Sequence, residues 1–152
     1  MAVKRIALGA DHAGFKLKEF VKKLLEEKGI EVIDVGTYTE ERCHYPIYAQ
    51  KVAQMVSKGE IERGILICGS GIGMSIVANK FKGVRAALCH NIYSAKYSRL
   101  HNNSNILCLG GRVTGEDLTK EIVETWLETP FEGGRHNERL SLIDEIEKNN
   151  FK

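Results

Sequence analysis

The chain is poor in proline, with two residues in 152, and carries a single tryptophan. It has no low-complexity segment, no internal repeat and no Pro/Gly/Ser-rich linker, so one domain over residues 1–152 is expected, long enough to bury a core without staples. An excess of one charge is also missing. Twenty-two Lys+Arg against 20 Asp+Glu leave a net charge of +2, which gives no support to nucleic acid or an acidic membrane surface as partner. No apolar run approaches membrane-spanning length. The run Ile6–Ala10 is broken at once by Asp11-His12 and does not read as a signal peptide. The four cysteines, Cys43, Cys68, Cys89 and Cys108, lack paired CxxC spacing. A zinc site or disulfide framework is therefore not expected, and a reducing cytoplasm is the natural compartment.

What the chain does have is regular alternation of short apolar runs with amphipathic segments. Val3–Leu8, Glu31–Val35, Ile65–Cys68, Arg85–Cys89 and Ile106–Leu109 read as strands. Between them, Leu17, Phe20, Val21, Leu24 and Leu25 mark one face of a helix over about 13–28, stopped by Gly29. Pro46 opens a helix closed by Gly59, and a further helix runs from Ile92 to about Asn102. Leu118, Ile122, Val123, Trp126 and Leu127 mark the next, and a last helix begins near Asn137. Strands each followed by a helix predict an α/β fold: a three-layer αβα Rossmann-like sandwich on a five-stranded parallel sheet, in the common order 2-1-3-4-5.

In such a sheet, ligands bind beyond the carboxyl ends of the strands where the strand order reverses, here between the first and third strands. The loop after the first holds Asp11-His12-Ala13-Gly14, and the loop after the third holds Cys68-Gly69-Ser70-Gly71-Ile72-Gly73. The glycine loop is not a Walker A loop, since no Gly-Lys-Ser/Thr ends it, and it lacks G-x-G-x-x-G spacing. Alternating glycines at a strand–helix junction leave backbone amides bare for an anion. The same junction puts the Cys68 thiol where a positive helix end favours the thiolate, as nucleophile or general base. A cysteine ending an apolar strand is otherwise a small buried hydrophobe, the reading that suits Cys89 and Cys108.

Asp11 also reads as a helix N-cap, and His101 as a helix C-terminal histidine favoured by the dipole. His44 and His90 carry no constellation. Arg135 and Arg139 stand four residues apart, so two guanidinium forks on one helix face suit a phosphate dianion. Their commoner fate is a solvated charged face pairing with Glu132 or Glu138. Arg112 follows the Gly110-Gly111 break as a third candidate.

Taken in order, Gly9–Gly14, Cys68–Ser75, Asn79-Lys80, Arg99–Asn102, Leu109–Arg112 and Gly134–His136 resemble the type B ribose-5-phosphate isomerase family, which includes galactose-6-phosphate isomerase subunits. The resemblance spans nearly the whole chain. It implies aldose–ketose isomerisation of ribose 5-phosphate through a cis-enediolate, in carbohydrate metabolism of the pentose phosphate kind, without metal or organic cofactor. It further implies that Cys68 is the base, that the amides of Gly69, Ser70, Gly71, Ile72 and Gly73 with the Ser70 hydroxyl hold the enediolate oxygen, and that His101 opens the furanose ring. Asn102 becomes a substrate contact, Asp11 handles hydroxyl protons, and His12, Arg112, Arg135 and Arg139 hold the phosphate or sugar hydroxyls. A subgroup of the family uses a glutamate in the loop instead, where this chain has Met74.

The chain departs from the family at Cys43-His44-Tyr45-Pro46, where an acidic residue often precedes Tyr-Pro. That leaves any role of His44 open and makes Tyr45 a weaker substrate contact. His101 closes a helix antiparallel to the strands, so it should lie toward the opposite end of the sheet from the crevice of its own chain. A homodimer or higher homo-oligomer with shared active sites is expected, in which His101 and Asn102 cross over and the C-terminal helix packs on the partner. The alternatives are a hexose-6-phosphate isomerase of allose or galactose type and a phosphosugar-binding module without chemistry.

Overall fold

The computed structural model describes residues 3–151. In chain order the elements are β1 Arg5–Ala10, α1 Phe15–Glu27, β2 Glu31–Gly36, α2 Tyr45–Ser57, β3 Arg63–Cys68, α3 Ile72–Ala78, β4 Ala86–Leu88, α4 Ile92–Leu100, β5 Ile106–Gly110, α5 Glu116–Glu128 and α6 Arg135–Asn150. All strand pairs are parallel. The α/β class and the parallel sheet agree with the sequence pattern.

The order of the last two strands does not. The sheet runs β2-β1-β3-β5-β4, not 2-1-3-4-5. Every residue of β5 is buried, whereas β4 is three residues long and only half-buried. The strand that can bury both faces takes the inner position, and the short one closes the edge. The reversal between β1 and β3 is unaffected, so the expected crevice stays where it was.

Alternation along the central strands divides the core in two. Ile6, Leu8, Ile65, Ile67, Leu107 and Leu109 face α1 and α5, where Val21, Leu25, Ile122, Val123 and Trp126 are fully buried. Ala7, Leu66, Cys68, Ile106 and Cys108 face α2 and α3, against Val52, Ala53, Met74 and Ala78. Cys68 is thus the last core residue of its strand face as well as the first residue of the glycine loop.

Helix α1 starts two residues later than Ala13. The Asp11 carboxylate takes the N–H groups of Ala13 and Gly14 at 3.0 and 3.1 Å, closing a turn ahead of the helix rather than capping it. Gly14 precedes Phe15 because a Cβ there would lie 2.4 Å from the Ile67 carbonyl oxygen. One charged residue of α1 is fully buried. The Nζ of Lys18 sits 2.6 Å from Asp34 Oδ2, with Lys22 at 3.2 Å from the same oxygen. Asp34 also accepts from the Gly36 N–H, and its carbonyl accepts from the Tyr38 hydroxyl. The cluster anchors the chain as it leaves β2 toward residues 43–45.

Helix α6 differs from the others in burying only His136. Leu142, Ile143 and Ile146 on it are 59%, 46% and 61% exposed. No described helix is long and apolar enough to cross a membrane.

Candidate active site

A cleft of about 670 Å³ opens beyond the carboxyl ends of β1 and β3, bounded by Asp11, His12, Tyr45, Cys68, the glycine loop and Arg112. Cys68 ends β3 with its side chain at the floor, 5% exposed. Its Sγ accepts the Gly71 N–H at 3.1 Å, so the sulfur is held against the loop backbone. The loop folds this tightly because Gly71 adopts φ +81° and a Cβ there would meet the Leu109 backbone at 2.9 Å. The Ser70 hydroxyl oxygen accepts from the Ile72 N–H at 3.2 Å, which leaves its own proton free to donate.

The opposite wall comes from β1. Asp11 is 6% exposed, and its Oδ1 is committed to the two turn amides. Its second oxygen makes no hydrogen bond among the described residues and is available to the cleft. His12 Nδ1 accepts the Cys43 N–H at 3.2 Å. An amide can only donate, so the neutral imidazole carries its proton on Nε2. Cys43, absent from the expected site, therefore fixes the His12 tautomer; only its proximity to Tyr45 in sequence could have pointed to it.

Arg112 lies across the loop. Its N–H donates to the Gly69 carbonyl at 3.0 Å, and a Cβ on Gly69 would meet its guanidinium at 3.3 Å. Tyr45 covers Gly73 so closely that a Cβ there would lie 2.5 Å from the ring. Ile72, Ile76 and Val113 supply an apolar rim. His44 is exposed and makes no side-chain cap on α2. The cleft thus gathers a thiol, a carboxylate, an imidazole N–H, a hydroxyl and a guanidinium, the set needed to move a proton next to an oxyanion.

The remaining expected residues lie elsewhere in the chain. His101, Asn102, Arg135 and Arg139 do not border the cleft. Asn102 lines a separate cavity of about 470 Å³ under α6, with Ser98, Leu140 and Ile143. The His101 ring, at the end of α4, stacks on His136 with centroids 4.3 Å apart and planes 17° apart. Tyr97 meets it edge-on at 4.9 Å. Glu132 faces both rings, with Oε2 4.0 Å from His101 Nε2 and Oε1 3.8 Å from His136 Nε2. Arg135 and Arg139 are exposed at the start of α6, and Arg139 Nη1 is 3.5 Å from His136 Nδ1. Burial and the neighbouring His101 hold His136 below the ordinary histidine range.

The other two thiols are buried and lie outside the cleft. Burial pushes Cys89 up to about 11 and Cys108 higher still.

Comparison with known proteins places the chain in one group. The family model described as Ribose/Galactose Isomerase matches residues 6–143. The "Ribose-5-phosphate isomerase B" of Escherichia coli is 52% identical over 146 residues, covering 96% of this chain and 98% of that protein. The Clostridium thermocellum ribose-5-phosphate isomerase B structure superposes with a TM-score of 0.94 at 52% identity, over 95% of this chain and 98% of that one. A Mycoplasma genitalium ribose-5-phosphate isomerase B, solved with bound ribulose-5-phosphate, gives a TM-score of 0.93 at 39% identity, over 99% of both chains.

Proposed function

The chain belongs to the Ribose/Galactose Isomerase family, and we propose that it interconverts ribose 5-phosphate and ribulose 5-phosphate. The observation that carries this reading is the Cys68 thiol, 3.1 Å from the Gly71 N–H at the floor of a cleft that also holds Asp11, Ser70 and Arg112. The Escherichia coli relative and both solved structures bear ribose-5-phosphate isomerase names, which supports a pentose rather than a hexose phosphate as substrate.

The reaction starts from the closed sugar. His101 donates a proton to the ring oxygen as the C1–O bond breaks, and the C1 hydroxyl gives up its proton to Asp11, leaving the open aldehyde. The Cys68 thiolate then removes the C2 hydrogen, and the electron pair moves onto the C1 oxygen. The developing oxyanion is held by the loop amides and the Ser70 hydroxyl, donors already in position before charge appears. Cys68 returns the proton to C1, the C2 hydroxyl loses its proton, and the C1 oxygen gains one, giving the ketose. Arg112 and the His12 Nε2–H bind phosphate or sugar hydroxyls, with Asn102, Arg135 and Arg139 as the remaining contacts. This chemistry asks nothing of a metal or organic cofactor.

A single protomer separates Cys68 from His101, Asn102, Arg135 and Arg139. We therefore read the working enzyme as a homodimer in which those four residues face the partner's cleft, with the exposed apolar stripe of α6 against the partner. The setting that suits free thiols and this substrate is the cytoplasm and its pentose phosphate metabolism.

The deciding experiment is kcat/KM for ribose 5-phosphate in chelator-treated buffer, with allose 6-phosphate and galactose 6-phosphate alongside. Efficient pentose turnover that Cys68→Ala abolishes supports the reading. Turnover of a hexose phosphate alone, or full activity of Cys68→Ala, overturns it.

A further inference from the structure

We propose that Glu132 is a positioning residue that holds His101 by its Nε2 atom, so that Nδ1 is the atom that exchanges protons with the sugar. The inference rests on the reading of His101 as the ring-opening acid and adds a residue and an atom to it.

The donor and acceptor inventory sets the direction. The Arg139 guanidinium can only donate, and it lies 3.5 Å from His136 Nδ1. That nitrogen is therefore the acceptor, and the neutral His136 ring carries its proton on Nε2. His136 is 2% exposed, and its Nε2 is buried without a hydrogen-bond partner. The group it faces is Glu132 Oε1, at 3.8 Å. The second oxygen of the same carboxylate is 4.0 Å from His101 Nε2. One carboxylate thus addresses two imidazoles, one oxygen to each, at separations that a small closure on substrate binding turns into hydrogen bonds. With Nε2–H of His101 directed at Glu132, Nδ1 is left for the substrate.

The stack and its neighbours keep charge off His136. Two imidazolium ions with centroids 4.3 Å apart repel, so the pair accommodates one proton at a time. Arg135 and Arg139 add positive charge beside His136, and of the two rings Tyr97 meets only that of His101. Burial, the neighbouring His101 and the two guanidinium groups thus disfavour charge on His136.

The backbone holds Glu132 in register with the histidine. Its N–H donates to the Leu100 carbonyl at 3.0 Å. Arg99 ties the same segment to the end of α4, donating to the carbonyls of Thr129 and Ser104 at 3.1 and 2.6 Å. His101, Glu132 and His136 also bring two nitrogens and an oxygen within 4.8 Å of one another. With two guanidinium groups beside them and two rings stacked rather than aimed at one point, they suit a proton better than a divalent cation.

The test separates ring opening from enolisation. Ribulose 5-phosphate cannot close to a furanose, because its O5 carries the phosphate. Exchange of its C1 hydrogen with D2O therefore needs Cys68 and the glycine loop but no ring opening. Glu132→Gln should lower kcat on ribose 5-phosphate by about tenfold or more and shift the acid limb of its pH profile. Deuterium wash-in at C1 of ribulose 5-phosphate, followed by NMR, should stay within about twofold of the parent. Glu132→Asp should recover part of the loss. Equal falls in both rates, or no fall in kcat, would overturn the proposal. A parent enzyme inactive on ribose 5-phosphate would instead sink the functional reading on which it rests.

Discussion

Replacing Gly71 by alanine tests the glycine loop most directly, because the structure separates two costs that are usually confounded. Gly71 sits at φ +81°, and a Cβ would meet Leu88 Cδ1 at 2.6 Å and the Leu109 backbone at 2.9 Å. Gly83 has nearly the same conformation, φ +78°, but nothing within 4 Å of its would-be Cβ. Gly83→Ala therefore carries only the left-handed backbone cost, about 1–2 kcal/mol. Gly71→Ala carries that and an overpacking cost of about 1–3 kcal/mol, since a backbone carbonyl cannot swing aside as a side chain can. At roughly 2–4 °C per kcal/mol for a domain of this size, Gly83→Ala should lower Tm by about 2–8 °C and Gly71→Ala by several degrees more. The activities should part further. Moving the Gly71 N–H off Cys68 Sγ disturbs the proposed base and the proposed oxyanion donors together, and a displacement of about 1 Å costs roughly a hundredfold in kcat; Gly83→Ala should turn over like the parent. Differential scanning calorimetry and steady-state assay of both variants decide the matter. Equal melting points and an unimpaired Gly71→Ala enzyme would refute both the contact argument and the role of the loop.

Mixing Cys68→Ala with His101→Asn protein, each inactive alone, should restore about a quarter of the parental sites if each cleft draws on both chains of a dimer, read by activity after denaturation and joint refolding. For Lys18→Met the expected loss is about 3 kcal/mol at pH 7, the low end for a broken buried pair because Lys22 still reaches Asp34. Burial alone would push the Asp34 carboxyl up, but hydrogen bonds from Lys18, Gly36 and Lys22 overcome it and hold it below its ordinary value. The stabilisation is therefore fully present above the unfolded carboxyl value of about 3.9 and is lost as pH falls through the lower folded value. Urea melts of parent and variant should converge in acid. In alkylation with iodoacetamide at pH 8, Cys89 and Cys108 should stay unmodified until the protein unfolds, while the half-exposed Cys43 reacts; peptide mapping by mass spectrometry reads this out.

Much of the fold is written in local pattern. Strand β3 is a run of six buried residues ending at a glycine loop, and its position beside β1 makes Cys68 and Asp11 neighbours. Both ends of that pairing are short-range signals, so the cleft could be placed from sequence. The order of β4 and β5 could not, because two short apolar runs look alike until one buries both faces and the other does not. Lys18 was equally opaque: a lysine beside an apolar helix stripe reads as solvated, and the position of Asp34 16 residues away, with the adjacent Glu19, makes burial tolerable. His101 read by itself is a helix C-terminal residue. Its neighbours Glu132 and His136 come from a separate segment, so no spacing rule would have joined them.

The sheet ends at one side in β4, three residues long, where little unpaired backbone is offered. The other edge, β2, begins with Glu31, which is exposed and paired with Arg5. Neither border invites a neighbouring chain to extend the sheet by strand addition. In the homodimer proposed above, contact would thereby be left to side chains on helices rather than to main-chain ladders. Such a surface can change its partner geometry by single substitutions on α4 or α6 while the strands that carry Asp11 and Cys68 keep their register.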